Sequence, residues 1–142
     1  VLYQVRKPTF EEGMQQVIQN LLMNASQYSH EGKTIRIFIK KEKDLIMYQI
    51  QDEGIGIPQD QQSRIFEKFF RAANALKLIP SGNGLGLSLA RSLVMGWGGK
   101  IWFESPYVIK TPNDLKEVQG TAFYIALPLE GMKKKEGEKA LT

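Results

Sequence analysis

The sequence predicts an α+β fold in which one mixed sheet carries its helices on one face. Three observations predict it. Strand-like alternation clusters in the middle of the chain and again near its end. A long amphipathic helical pattern precedes the first cluster, and a glycine-led apolar helix separates the two. That order suits a single sheet with its helices packed together rather than alternating βαβ units. The length, 142 residues, suits one domain with a single core. Residues 1–130 are assigned to that domain and 131–142 to a mobile charged tail.

Taken in order, residues 2–6 suit a short edge strand. Thr9-Phe10-Glu11-Glu12 reads as a capping box, with Thr9 as N-cap and Glu12 reaching back. A helix follows to about Ser29, with Met14, Ile18, Leu21, Leu22 and Ala25 on one face and Gln16, Asn20, Asn24 and Gln27 on another. His30-Glu31-Gly32 ends it, Gly32 serving as a left-handed cap. Residues 34–40 and 45–50 form two strands joined by the turn Glu42-Lys43-Asp44, and alternation puts Ile35, Ile37 and Ile39 on one face. Residues 52–58 are a glycine-rich loop, 60–70 a short helix and 72–82 irregular. A helix runs from near Gly84 to Gly98-Gly99. Residues 100–104 and 121–127 are the last strands, and 106–119 a long polar connection between them.

Composition narrows the function classes. Cysteine is absent, which excludes disulfides and thiolate metal sites and suits a cytoplasmic setting. No apolar run approaches the ~20 residues a spanning helix needs, and no signal peptide is visible, so no direct membrane contact is expected. The formal net charge is +4, part of it in Lys133, Lys134, Lys135 and Lys139 of the tail. Neither a basic helix nor an aromatic-basic strand pattern accompanies it, so nucleic acid is not an expected partner.

Four groups of residues carry potential chemistry. Asn20 and Asn24, spaced i, i+4, share a helix face, where amide oxygens could meet Mg²⁺ or phosphate-bound water. Alone, that pair is better read as a solvated polar face. Asp52-Glu53-Gly54-Ile55-Gly56-Ile57-Pro58 follows a strand directly. An aspartate there can accept a hydrogen bond from an exocyclic amine, and the glycines let backbone approach a flat ring. A plain glycine turn is the alternative. Gly82-Asn83-Gly84-Leu85-Gly86-Leu87 leads into an apolar helix whose N-terminal amides can hold phosphate oxygens. Its spacing is neither a dinucleotide fingerprint nor a Walker A loop, and a tightly packed loop is the alternative. In Arg64-Ile65-Phe66-Glu67-Lys68-Phe69-Phe70-Arg71 the three phenylalanines fit a buried helical face, which would point Lys68 and Arg71 at the irregular segment that follows.

The order of these motifs resembles the N, G1, F and G2 boxes of histidine kinases. Gly120-Thr121 looks like that family's last, weaker box, and Gly98-Gly99-Lys100-Ile101-Trp102-Phe103-Glu104-Ser105 is similar to its usual strand. The resemblance covers residues 9–129 and implies the ATP-binding catalytic domain of a sensor histidine kinase. The implied fold is the Bergerat fold of gyrase, Hsp90 and histidine kinases: a two-layer α/β sandwich with a mostly antiparallel sheet on about three helices. It implies ATP and Mg²⁺ as cofactors, with Asn24 on the metal and Asn20 supporting it. Asp52 would read the adenine amine and Tyr28 cover the base. Gly54, Gly56, Ile57, Gly82, Gly84, Leu85, Gly86, Leu87 and Thr121 would shape the site. Gln27, Lys68 and Arg71 would lie by the phosphates, with Arg71 taking part in transfer. Residues 72–81 would form a lid, its Leu76, Leu78 and Ile79 either docking another domain or packing on this domain's own core.

The resemblance also implies partners: a helical dimerisation domain carrying the phosphoacceptor histidine, and indirectly the receiver domain of a response regulator. The isolated domain is expected to be monomeric. ATP-hydrolysing members of the superfamily carry a glutamate where Asn20 stands, which favours a kinase over an ATPase. Two departures stand out. Gln27 occupies the place of a frequent lysine, and the 106–119 connection is longer than usual. His30-Glu31 is followed by Gly32-Lys33 and does not match the acceptor motif, so the acceptor must lie elsewhere. An anti-sigma-factor-type serine kinase and a nucleotide-sensing or docking module without transfer activity remain the alternatives.

Overall fold

The structure, a computed structural model, describes residues 2, 4, 6, 8–111 and 114–129, with only the backbone considered over 109–111 and 114–118. Helix α1 spans Phe10–Tyr28. Strands β1 (Arg36–Glu42) and β2 (Leu45–Asp52) form a hairpin. After a 3₁₀ segment at Gln59–Arg64 come α2 (Ala73–Leu78), α3 (Gly86–Gly96), β3 (Lys100–Thr111) and β4 (Asp114–Pro128). The sheet has four strands in the order β1-β2-β4-β3, and every described pairing is antiparallel, so the mixed character expected of it is not seen among the described residues.

The capping box of α1 forms as predicted: Thr9 Oγ1 accepts from the Glu12 amide, and the Glu12 carboxylate accepts from the Thr9 amide. The helix stops at Tyr28, short of the predicted Gly32 cap. Ser29 is extended instead, because it forms a bridge with Gly54, and Gly32 takes its left-handed turn (φ 77°) just beyond. The buried face of α1 is Gly13, Met14, Val17, Leu21 and Ala25, with Ile18 and Leu22 partly buried. It packs with α3 against β2, β4 and β3, and Val17, Leu21, Ala90, Val94, Ile125 and Leu127 are all essentially inaccessible. Each of these side chains apart from Ala90 contributes roughly 1.5–3 kcal/mol by leaving water.

Three other expectations need correction. The segment 60–70 is not a helix. It is a 3₁₀ turn followed by irregular chain, in which Phe69 takes φ 66° and is 72% exposed while Phe66 packs on Phe103 and Phe123. Conversely, 72–82 contains the short helix α2. The 106–119 connection is the two arms of an extended β3–β4 hairpin, with bulges between Glu104 and Tyr107 and between Ile109 and Thr111. Strand β1 lies at the edge of the sheet. Ile37 and Ile39 share a face as predicted but stay 48% and 65% exposed. Leu2, Gln4 and Arg6 are not in a strand, and the rest of 1–7 other than these, like the 131–142 tail, lies outside the described residues.

Candidate functional site

The site begins at the end of β2. Pairing with β4 places Asp52 opposite Thr121 at the end of the inner strand β2, where the residue is 4% exposed. The Gly54 and Thr121 amides both donate to its Oδ1, at 3.0 and 3.3 Å. Neither of these bonds uses Oδ2, and the residue lines the cavity described below. Burial raises this carboxyl from an ordinary 3.8 to about 6, against the opposing pull of the two amides.

The loop after Asp52 is held from below by its amides. Ile55 N donates to Tyr28 O at 3.1 Å, and Ile57 N to Ser105 Oγ at 2.8 Å. Ser105 Oγ in turn shares a 3.0 Å hydrogen bond with Thr121 Oγ1. Gly54 is required here because a Cβ would strike the Tyr28 carbonyl oxygen. Gly84 is required on the opposite wall. Its φ is 67°, and a Cβ would lie 2.7 Å from the Phe69 carbonyl carbon. That contact, with Phe69 N donating to Gly84 O at 3.0 Å, locks the phenylalanine segment to the second glycine loop.

Between these walls lies an open cavity of about 320 Å³, a volume within the range of small-molecule sites. Its lining includes Asn20, Asn24, Gln27 and Tyr28 from α1, and Asp52, Gly56, Ile57 and Thr121 from the sheet end. Arg71, Gly82, Gly84, Gly86 and Leu87 complete the predicted members. Three predicted residues stand outside the lining. Gly54 acts through packing, Leu85 precedes α3 with its amide donating to Asn83 Oδ1, and Lys68 lies on a neighbouring cleft with Arg64 and Phe69. Lys68 is displaced because 64–70 is not the predicted helix. Sequence reasoning missed Asn74, Asn83 and Phe70 in the lining, and Ser105 beneath it. Asn74 sits in a segment expected to be irregular, and no periodicity marked it.

The polar groups differ in how committed they are. Asn20 Nδ2 donates to Gly86 O at 3.2 Å, and its Oδ1 accepts from Gln16 at 3.4 Å, so it ties α1 to the start of α3. The Asn24 side chain makes no hydrogen bond to protein among the described residues, and the residue lines the cavity. Arg71 donates to Tyr28 Oη at 2.9 Å, Ile79 O at 2.6 Å and Pro80 O at 3.3 Å, which places one guanidinium between the ring of α1 and the lid. Among the described residues, Asp52 is the one carboxylate in the lining. No group of three or more His, Cys, Asp or Glu residues suited to a metal occurs among the described residues. A hard cation would therefore need most of its oxygens from a bound phosphate and water, which is how Mg²⁺ is usually held.

These features define a nucleotide-binding class of α+β domain, and comparison assigns the family. Residues 9–131 match the model of the histidine kinase-, DNA gyrase B- and HSP90-like ATPases, and the chain belongs to that family. Its sequence is 37% identical to the sensor histidine kinase WalK of Bacillus subtilis (strain 168) over 97 residues, 67% of this chain and 16% of that protein. It is 34% identical to the sensor protein kinase WalK of Staphylococcus aureus over 119 residues, 82% of this chain and 26% of that protein. Among solved structures it is similar to the mycobacterial sensor histidine kinase MprB, with a TM-score of 0.68 and 30% identity over 82% of this chain and 72% of that one. It is also similar to the catalytic domain of the histidine kinase ThkA, with a TM-score of 0.64 and 27% identity over 82% of this chain and 67% of that one. The chain thus spans about a sixth to a quarter of the curated relatives it matches.

Proposed function

We propose that this chain binds ATP with Mg²⁺ and transfers the γ-phosphoryl group to a histidine on a separate dimerisation domain of the same kinase, in a cytoplasmic setting, from which a response-regulator receiver domain later takes the phosphate. The relatives named as sensor kinases support the class, and the full-length ShkA structure described as a complex with AMPPNP supports an ATP-like ligand for the fold.

The observation that carries the reading is the position of the single carboxylate. Asp52 is fixed at the base end of the cavity, and the place on α1 where a water-activating glutamate would stand is Asn20, engaged with Gly86. The site thus lacks a lining carboxylate to deprotonate water near the phosphates. A neutral imidazole needs no such base, because its unprotonated nitrogen already presents a lone pair. That nitrogen forms the new bond to γ-phosphorus while the bond to the β,γ-bridging oxygen breaks and ADP leaves. Asp52 Oδ2 accepts from the adenine amine, and Tyr28 lies against the base. Asn24 supplies an amide oxygen to Mg²⁺, which neutralises phosphate charge when bound. Arg71 and the amides of 82–86 orient the phosphates, so the work is chiefly positioning and charge stabilisation.

Incubation with labelled ATP and a separately supplied acceptor domain tests this. An acid-labile, alkali-stable phosphoprotein is expected. An acid-stable product would instead identify a serine kinase. Binding without transfer would leave the nucleotide-sensing alternative, which the uncharged Gln27 favours.

A further inference from the structure

The base-binding loop exposes two backbone carbonyls that its own support does not use. Its amides are committed below, Ile55 N to Tyr28 O and Ile57 N to Ser105 Oγ. The carbonyls of Ile55 and Gly56 point instead to the lid, where Asn74 Nδ2 donates to Gly56 O at 2.9 Å and to Ile55 O at 3.4 Å. Asn74 Oδ1 accepts from the Ala75 amide at 3.0 Å, which orients the side chain with its donors towards the loop. The neighbouring Ala73 amide donates to Gln61 Oε1 at 2.8 Å. Helix α2 has no side-chain N-cap and no buried residue of its own, and Leu76 and Leu78 are 45% and 50% exposed. A six-residue helix with so little burial is held by its end contacts rather than by packing. At its far end the contact is Arg71 on Ile79 O and Pro80 O, and a phosphate oxygen would compete for that guanidinium. Asn74 faces the base end, where no phosphate competes.

We propose that Asn74 is a positioning residue that clamps the lid helix to the base-binding loop through the Ile55 and Gly56 carbonyls, so that the wall over the base is set before and independently of phosphate contacts. This rests on the nucleotide reading above. The clamp lowers the cost of ordering the lid on binding, so its loss affects every ligand that carries the base by the same factor.

The test uses the 142-residue chain with Asn74→Asp, which turns the donor into an acceptor facing two carbonyls, and Asn74→Ala, which removes it without adding charge. In nucleotide-free protein, tryptic cleavage at the exposed Lys77 is expected to speed up about tenfold in Asn74→Asp and about threefold in Asn74→Ala. Both unfolding midpoints are expected to stay at the parent value. Affinities for Mg-ATP and Mg-ADP are expected to fall by one common factor of about three to ten, and in the transfer assay KM rises with kcat retained. Unchanged cleavage at Lys77, or a loss confined to ATP, overturns the proposal. If the unaltered chain binds neither nucleotide, the functional reading fails and the positioning role with it. The cleavage rates still decide whether Asn74 holds the lid.

Discussion

At the scale of single residues, Asp52 is asked to do two incompatible things, and the conflict is measurable. Its carboxyl titrates near 6 in the folded chain because burial disfavours the charge. Between its ordinary 3.8 and about 6 the folded state holds a proton that the unfolded chain has released. Stability contributed by this group is therefore highest below that window, falls as pH rises through it and is level above about 6. Asp52→Asn keeps an oxygen for the Gly54 and Thr121 amides but cannot ionise. Urea unfolding is expected to show the variant gaining on the parent as pH rises from 4 to 6, by no more than about 3 kcal/mol, while its ATP binding is lost. A second prediction concerns Gln27, which lines the cavity without charge. Gln27→Lys is expected to raise Mg-ATP affinity about three- to tenfold at low salt, and calorimetry that finds no change would show that no phosphate lies within its reach. The predicted residues that come together at the cavity are those whose chemistry is local. Asp52, Asn24 and Gly56 announce themselves by type and spacing along one strand end or one helix face. Asn74 and Ser105 were not legible, because the contacts that tie them to the loop after Asp52 are with backbone atoms 18 or more residues away.

The elements show the same division. Helices α1 and α3 carry clear periodicity and caps, and they appeared within a few residues of their predicted bounds. The phenylalanine segment did not become a helix because tertiary contacts override its pattern. Phe66 joins the aromatic group under the sheet, while Phe69 is turned out to let its amide reach Gly84. Gly84→Ala is expected to cost about 1–3 kcal/mol through strain at φ > 0 and the clash with Phe69, seen as a lower unfolding midpoint, and to weaken ATP binding by loosening Arg71. The 106–119 segment misled because its polar composition hides a two-stranded arm whose register runs Tyr107↔Gly120, Val108↔Gln119 and Ile109↔Val118. Replacing residues 110–117 with an Asn-Gly turn preserves those pairs. Mg-ATP affinity is expected to stay within about twofold of the parent, since the arm begins beyond Ser105 and none of its described residues lines the cavity.

For the whole molecule, the architecture explains why the site sits where it does. Two helices cover one face of three strands, β1 is left as an overhanging edge, and the cavity opens where α1, the end of β2 and the loop before α3 converge. No helix of the described residues is long and apolar enough to cross a membrane. The fold class was legible because alternation and helical periodicity are summed over many residues. The closing of the cavity was not, because it depends on pairings such as Asn20 with Gly86 that join distant segments. The central claim is that this cavity takes ATP through Asp52. Calorimetric titration of the chain with ATP, with and without Mg²⁺ and alongside Asp52→Ala, tests it most directly. Saturable binding is expected, tightened by Mg²⁺ and abolished in the variant. No heat of binding at millimolar ATP in a demonstrably folded sample, or equal binding by Asp52→Ala, would contradict it.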